Sequence, residues 1–484
     1  MAHLETKERT SPVRPGGEFA VIATVYMTAY LVDLTETWEH PVAGAFFILV
    51  ALLAVLPGIS GWSFYLFLIL ASAYTLWFHI PDVTNHENIY LICNLFLVVG
   101  LADHLWRSRG RRRPLTPLAE QDLIRIVKPT LRVALSIVYI VAGFHKMNWD
   151  FFHPESGCAI TFFKRVAGKF GLSGVVWPGF VLFSVPVVVL AWELAGGVML
   201  WFRRLQLPVL IVAWFMHALL AQLVYTDFSS LAFALMLGFV PAAQFDLIAN
   251  APIRLGRLRL KRATFYLLLN VAVAVVAGIY GSRPGPQSVI HRWQGLGLNI
   301  GFLVLIWPIL ADRFSSQRTE WSGVSVWRPR FPWWRVAFVV VLTLFGLSPY
   351  LGLRTSGTFS MFSNLRTEGA SSNHLLLADN PLKLWGYQED VVEIIEIDPR
   401  HDAGLRQSLN GYLLPVVEFK KRIYDWRAEG LDDMSAVFKY EDRVYETEDL
   451  VRADPWRVGR RDLEMYLMDF RVIQKGPGPN ACRW

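Results

Sequence analysis

Between Ala142 and Phe152 the chain reads AGFHKMNWDFF, an apolar run that abruptly carries His145, Lys146, Asn148 and Asp150 among the rings of Phe144, Trp149, Phe151 and Phe152. An ammonium held among rings is partly desolvated, which favours the neutral amine and so a general base. The competing reading is anchoring, because lysines and tryptophans at a membrane interface snorkel and fix helix ends. A second polar pair, Asn85 and His86 in TNHENIYLICNL, opens another apolar segment. Two further ionisable residues lie inside apolar runs, Glu193 in LAWELAGG and His217 in WFMHALLA. Burying either costs on the order of 2.5–3.5 kcal/mol on insertion scales, so each must face another helix or a wet cavity. Glu193 reads as an interhelical hydrogen bond. The histidines show no HxxxH or HExxH spacing, so no metal is expected.

The elements that must position these groups follow from composition. With 54% hydrophobic and only 18% charged residues over 484 positions, the chain exceeds what a soluble core needs. A spanning helix takes about 20 apolar residues. Windows of that kind fall at 18–35, 41–58, 62–79, 88–104, 126–144, 174–201, 206–225, 229–247, 264–281, 294–311 and 333–352. The expected fold is mainly α, a polytopic membrane bundle of about eleven spans. Basic loops at 106–114, 202–206, 253–262 and 312–335 all follow even-numbered spans, whereas TETWEH, IPDVTNHE and YTDF carry no Lys or Arg. By the positive-inside rule the N-terminus is cytoplasmic and everything after about Gly352 is outside. The net charge of +7 is this asymmetry and implies anionic lipid as a partner, not nucleic acid. Eight of the eleven histidines, His86 and His145 included, then map to the outer side, and so does Lys146.

The division expected is a membrane domain, 1–352, and an extracytoplasmic α+β tail, 353–484. In the tail, 390–398 and 436–446 read as strands. Leu405, Leu409, Tyr412, Val416, Phe419, Ile423 and Trp426 recur at helical steps, with Pro415 breaking or bending the helix. The polar stretch 358–374 is expected to fold back over the site around Lys146. Cys158 and Cys482 share the outer side, where thiols tend to be oxidised, and either form a bridge that pins the tail or stay unpaired.

AGFHKMNWDF resembles the segment of the vitamin K-dependent γ-glutamyl carboxylase and its bacterial relatives, the HTTM family, in which a glycine-containing stretch leads to a lysine followed by an aspartate at +4. NHENIYLICNL is similar to that family's asparagine-histidine segment, WFMHALLAQL to its later intramembrane histidine, and residues 352–377 to a stretch of the bacterial members. The resemblance implies that Lys146 deprotonates reduced vitamin K or another quinol and that O2 then adds. The strong base so formed takes a γ-proton from a peptide glutamate, to which CO2 attaches. His86 would assist at the carbanion and Asn85 would position it, with His217, His145, Asp150 and Trp149 around the quinone. It further implies a bacterial cytoplasmic membrane and a peptide or protein substrate on the outer side. The tail is shorter than the animal enzyme's lumenal region. The other reading is a non-enzymatic membrane protein that binds lipid, quinone or a partner; a transporter lacks the paired broken helices it would need.

Overall fold

The computed structural model describes residues 17–35, 41–55, 61–108, 119–223, 225–281, 287–314, 321, 332–369, 372–378, 382–399, 409–431, 434–453, 456, 458–475, 478–480 and 482. His40, His401 and most of the basic loops 106–114 and 312–335 lie outside them. The described chain is mainly helical, with a small sheet near the C-terminus. Among the described residues, five helical stretches, or six if a bent pair counts as one span, are long and apolar enough to cross a bilayer; the five are Gly61–His79, Asn85–Arg107, Glu120–His145, Gly179–Met199 and Trp293–Arg313. Four more apolar helices are shorter, Val42–Ala54, Gln206–Ala221, Arg262–Ala277 and Trp333–Gly346.

In chain order the helices are α1 (Glu18–Asp33), α2 (Pro41–Val55), α3 (Gly61–Tyr74), α4 (Asn85–Arg107), α5 (Glu120–His145), α6 (Cys158–Lys169), α7 (Gly179–Met199), α8 (Gln206–Ala221), α9 (Thr226–Met236), α10 (Ala242–Asn250), α11 (Arg262–Gly281), α12 (Gln287–Arg313), α13 (Trp333–Gly346), α14 (Val416–Ala428) and α15 (Leu463–Leu467). The strands are β1 (Ile253–Leu255), β2 (Leu258–Leu260), β3 (Val391–Pro399), β4 (Tyr412–Pro415), β5 (Met434–Tyr440), β6 (Arg443–Thr447) and β7 (Ile473–Gln474).

These elements form two compact units, residues 1–67, 100–131 and 214–324, and residues 68–99, 132–213 and 325–484. In the first, α1 is buried on nearly every side and packs against α2, α9 and α11, as a helix apolar all round must be. At its N-terminus Glu18 pairs with Lys128, whose ammonium also donates to Val240 O at 2.7 Å. His217 sits in this unit on α8, its ring 5.3 Å from Phe228. The window 229–247 is not one straight span. Its two pieces, Thr226–Phe239 and Ala242–Asn250, meet at 115°, because Pro241 sits at the N-terminus of α10 and cannot continue the preceding ladder.

The second unit holds the beginning of α4, the end of α5, α6, α7, α13 and the whole tail. Five antiparallel strands run in the order β6-β5-β3-β4-β7, with α14 packing Phe419, Ile423 and Trp426 onto Ile394, Phe438 and Trp456. The segment expected as one strand at 436–446 is a hairpin, turned at Glu441 and Asp442 with positive φ. The expected helical stripe is corrected in its first half. Tyr412–Pro415 pairs with β3 as a strand, and the helix begins only at Val416, because proline fits a helix start and not its interior; Leu405 lies outside the described residues.

The tail is fastened to the turn before α4 by a buried charge cluster. Lys421 on α14 reaches Asp82 at 2.8 Å, Asp469 at 2.9 Å and Glu418 at 3.0 Å, and Arg354 reaches Asp469 at 3.3 Å. Burial opposes the charge on Lys421, but the carboxylates of Asp469, Glu418 and Asp82 outweigh it and raise its pKa above the ordinary lysine value.

Candidate functional site

Lys146 follows the last turn of α5 and is 3% exposed. Its ammonium lies 2.8 Å from Glu193 Oε2 on α7 and donates to Met361 O at 3.2 Å and Ala142 O at 3.5 Å. A carboxylate and two carbonyls, not ring faces, therefore form its immediate shell. This corrects the expected aromatic enclosure. Trp149 is 73% exposed, and the Phe144 ring is spent on Tyr350 and His374, at 5.3 and 4.5 Å.

The pair exists because α5 and α7 approach closely, and glycine permits that approach. A Cβ on Gly143 would stand 2.9 Å from the Leu194 side chain and 3.1 Å from its backbone nitrogen. One on Gly197 would stand 2.8 Å from Ile140 Cγ1 and 2.9 Å from Ser136 O. Gly197→Leu is thus expected to force the helices apart and cost about 1–3 kcal/mol through overpacking. A drop in the thermal midpoint of lipid-reconstituted protein, together with loss of a Lys146–Glu193 proximity crosslink, would show it; an unchanged midpoint would refute the packing argument.

A cover closes over Lys146. Residues 353–369 and 372–375 wrap across the end of α5, where Leu375 N donates to Met147 O at 2.8 Å, His374 Nε2 to Phe144 O at 2.9 Å and Asn148 Nδ2 to Ser363 O at 2.5 Å. Asn85 reaches the same cover from α4, accepting from Phe359 N at 2.8 Å, while Asn88 donates to Gly357 O at 3.2 Å. Phe359, Phe362 and Asn364 all hold left-handed φ, at 62°, 54° and 55°. Such conformations cost of order 1–3 kcal/mol each and persist only where neighbours over-determine them. The expected fold-back of 358–374 onto Lys146 is what these contacts describe for 358–369 and 372–374; residues 370 and 371 lie outside the described residues.

His86 is 6% exposed, and its ring lies 3.2 Å from Thr84 Oγ1. Thr84 donates its hydroxyl to Glu87, and Glu87 also pairs with His79, so a polar chain runs along the first turn of α4. Asn85 and Lys146 are joined through the short run Phe359–Met361. His145 points away from the pair: Nε2 donates to Gly346 O at 2.9 Å and Thr358 O at 3.2 Å, and Nδ1 meets the Tyr350 hydroxyl at 3.0 Å. Asp150 accepts from Asn373 Nδ2 at 2.8 Å and Asn480 N at 2.9 Å, so it ties down the cover and the C-terminal segment. His217 belongs to the other unit.

Cys158 and Cys482 are bonded to each other, with Cα atoms 4.9 Å apart, across 324 residues. Asn364 serves the same lock, accepting from Cys158 N at 2.7 Å and donating to Asn480 O at 2.8 Å. Reduction is expected to remove about 2–4 kcal/mol, typical of a disulfide, and to loosen residues 478–482 first. Faster amide exchange at Asn480 and Asn364 after reduction would show it, and unaltered exchange would contradict it.

The residue that sequence reading undervalued is Glu193. Its signal was present as a carboxylate within an apolar helix, but nothing local identified Lys146 as its partner. Around the pair, Glu193 is the less enclosed member, with 13% of its side chain exposed against 4% for Lys146. α7 continues as exposed apolar surface through Phe180, Phe183, Val187 and Val188. An ammonium, a carboxylate and an apolar approach suit a hydroxyl-bearing apolar molecule, whose oxygen can both donate and accept. No protein-family model, curated protein or solved structure matches this chain.

Proposed function

We propose that this chain is a multi-pass membrane protein that removes a proton from a hydroxyl of a lipid-soluble quinol, with Lys146 as the base. The observation that carries the reading is the Lys146–Glu193 pair itself. Two ionisable groups at adjoining helices of an apolar bundle are expensive to retain and mark function by default. They are roofed by a cover that includes three left-handed non-glycine residues, and backbone strain of that kind concentrates at functional sites. Asn85 holds the cover at Phe359, and the apolar face of α7 offers a route from lipid toward Glu193.

On this reading about eleven spans cross a bacterial cytoplasmic membrane. The N-terminus is cytoplasmic and the tail outside, as the basic loops imply. The resemblance to the HTTM and vitamin K-dependent carboxylase proteins extends the reading to reduced vitamin K or a similar quinol, with O2 and CO2 as co-reactants and a peptide or protein substrate reached from the outer side. The quinol, when bound, supplies the reducing equivalents. Within the chain, Lys146 receives the hydroxyl proton, Glu193 balances the charge, His86 and Asn85 hold the neighbouring wall, and the cover excludes water.

One observation favours a second reading. The ammonium is held by an ion pair with Glu193 and by hydrogen bonds to Met361 O and Ala142 O. That arrangement would equally serve a brace joining α5, α7 and the cover in a protein that only binds lipid, quinone or a partner. Purified protein in lipid, supplied with a naphthohydroquinone, separates the two. Oxygen uptake that depends on both protein and hydroquinone supports the enzyme; binding of the hydroquinone with no uptake leaves the brace.

A further inference from the structure

The buried charge groupings in the described residues of the second unit include the Lys421 cluster, the His79–Glu87–Thr84 chain and the Lys146–Glu193 pair. The first is closed by its own counter-ions and the second by hydrogen bonds along one turn. The third combines a short ion pair, a less enclosed carboxylate and an apolar approach. We infer that Glu193 is a catalytic residue, the acceptor that takes the ammonium proton from Lys146 and so delivers the free amine that attacks the substrate hydroxyl. The inference rests on the reading of Lys146 as the base.

The resting geometry requires such a group. As an ammonium, paired with Glu193 and donating to Met361 O and Ala142 O, Lys146 has no lone pair and cannot act as a base until one proton leaves. The candidate acceptors are few. Ala142 O and Met361 O are carbonyls and do not retain a proton. His145, adjacent in sequence, has its ring committed to Gly346 O, Thr358 O and the Tyr350 hydroxyl. Among the described residues, Glu193, 2.8 Å away, is the paired group whose ionised form takes a proton directly.

The step balances without an added reagent. One N–H bond of Lys146 breaks and one O–H bond of Glu193 forms, converting an ammonium and a carboxylate into an amine and a carboxylic acid. The pair remains neutral in this transfer, so no net charge enters the apolar interior. The amine lone pair then takes the hydroxyl proton of the substrate and leaves an oxyanion opposite the restored ammonium. After this step the pair carries one positive charge, which balances the substrate oxyanion, and Glu193 returns to a carboxylate when the reacted substrate oxygen takes a proton back.

The test uses full-length protein in lipid, with Glu193→Gln and Glu193→Asp beside the parent. Infrared difference spectra recorded on adding a naphthohydroquinone should show a new carboxylic-acid carbonyl band in the parent. The band should shift in D2O and be missing from Glu193→Gln. In turnover, Glu193→Gln should lower kcat by about 10²–10⁴-fold with KM little changed, and Glu193→Asp should recover part of the loss. A brace alone would instead lower the thermal midpoint of both variants and leave kcat intact. Absence of the acid band in the parent, or full kcat in Glu193→Gln, overturns the inference. If the parent turns over no hydroquinone, the assignment of Lys146 as base fails; a Glu193 band appearing on ligand addition would then establish proton transfer within the pair without catalysis.

Discussion

Lys146→Ala is expected to abolish most quinol turnover and to destabilise the protein at the same time. Removing a positioned base costs about 10²–10⁴-fold in rate. Removing one member of a buried ion pair also leaves the other uncompensated, at about 3–5 kcal/mol. From sequence alone the variant would be expected to fold normally; Glu193, 2.8 Å away, is why it should not. Lys146→Ala combined with Glu193→Gln removes both charges and should regain much of the thermal midpoint while remaining inactive. If the double variant melts as low as the single one, the midpoint loss does not come from an orphaned carboxylate. If Lys146→Ala turns over normally, the lysine is no base.

The second large effect is expected at Lys421, far from any motif. Lys421→Met removes the cation shared by Asp469, Glu418 and Asp82 and leaves two buried carboxylates, one with Arg354 and the other with Arg422. Asp82 is largely exposed and loses little. The expected cost lies toward the lower end of the buried-pair range, about 3 kcal/mol, and should appear as proteolytic release of residues near the 80–84 turn and the tail. The pH dependence follows from the raised lysine. The folded state holds its proton more tightly than the unfolded chain, so the stabilisation is complete below the ordinary lysine value, about 10.4. It is lost as the pH rises through the folded value. Burial raises Glu418, with Lys421 opposing, so its protonation favours the folded state and mild acid should not release the tail through this group. Protection from protease that is flat from neutral pH to about 9 and falls only in alkali fits this account; loss in mild acid would contradict it.

What the sequence disclosed tracks how local each cause is. Apolar helix windows, the strand at 391–399 and the polar cover over Lys146 rest on nearby residue types and spacing, and they were legible. The strand at Tyr412–Pro415 was misread because Leu409, Tyr412 and Val416 fit a helical step, while β3 supplied a pairing partner no local pattern contains. Pro241 lies within an apolar window, and hydropathy does not register the bend it makes. The Lys146–Glu193 pair needed the α5–α7 crossing, which Gly143 and Gly197 allow but do not announce. Lys421 is the extreme case. On an amphipathic helix it reads as a solvated charge, and it is buried only because Asp82 and Asp469 arrive from distant parts of the chain.

The central claim is that Lys146 acts through an amine that can lose and regain a proton, and Lys146→Arg tests it most directly. Arginine keeps the positive charge and can pair with Glu193, so a brace survives the change, but a guanidinium remains protonated and cannot serve as a base. Hydroquinone-dependent oxygen uptake by the reconstituted arginine variant should fall by about 10²–10⁴-fold with the thermal midpoint largely kept. Equal uptake by the arginine variant and the parent would contradict the account.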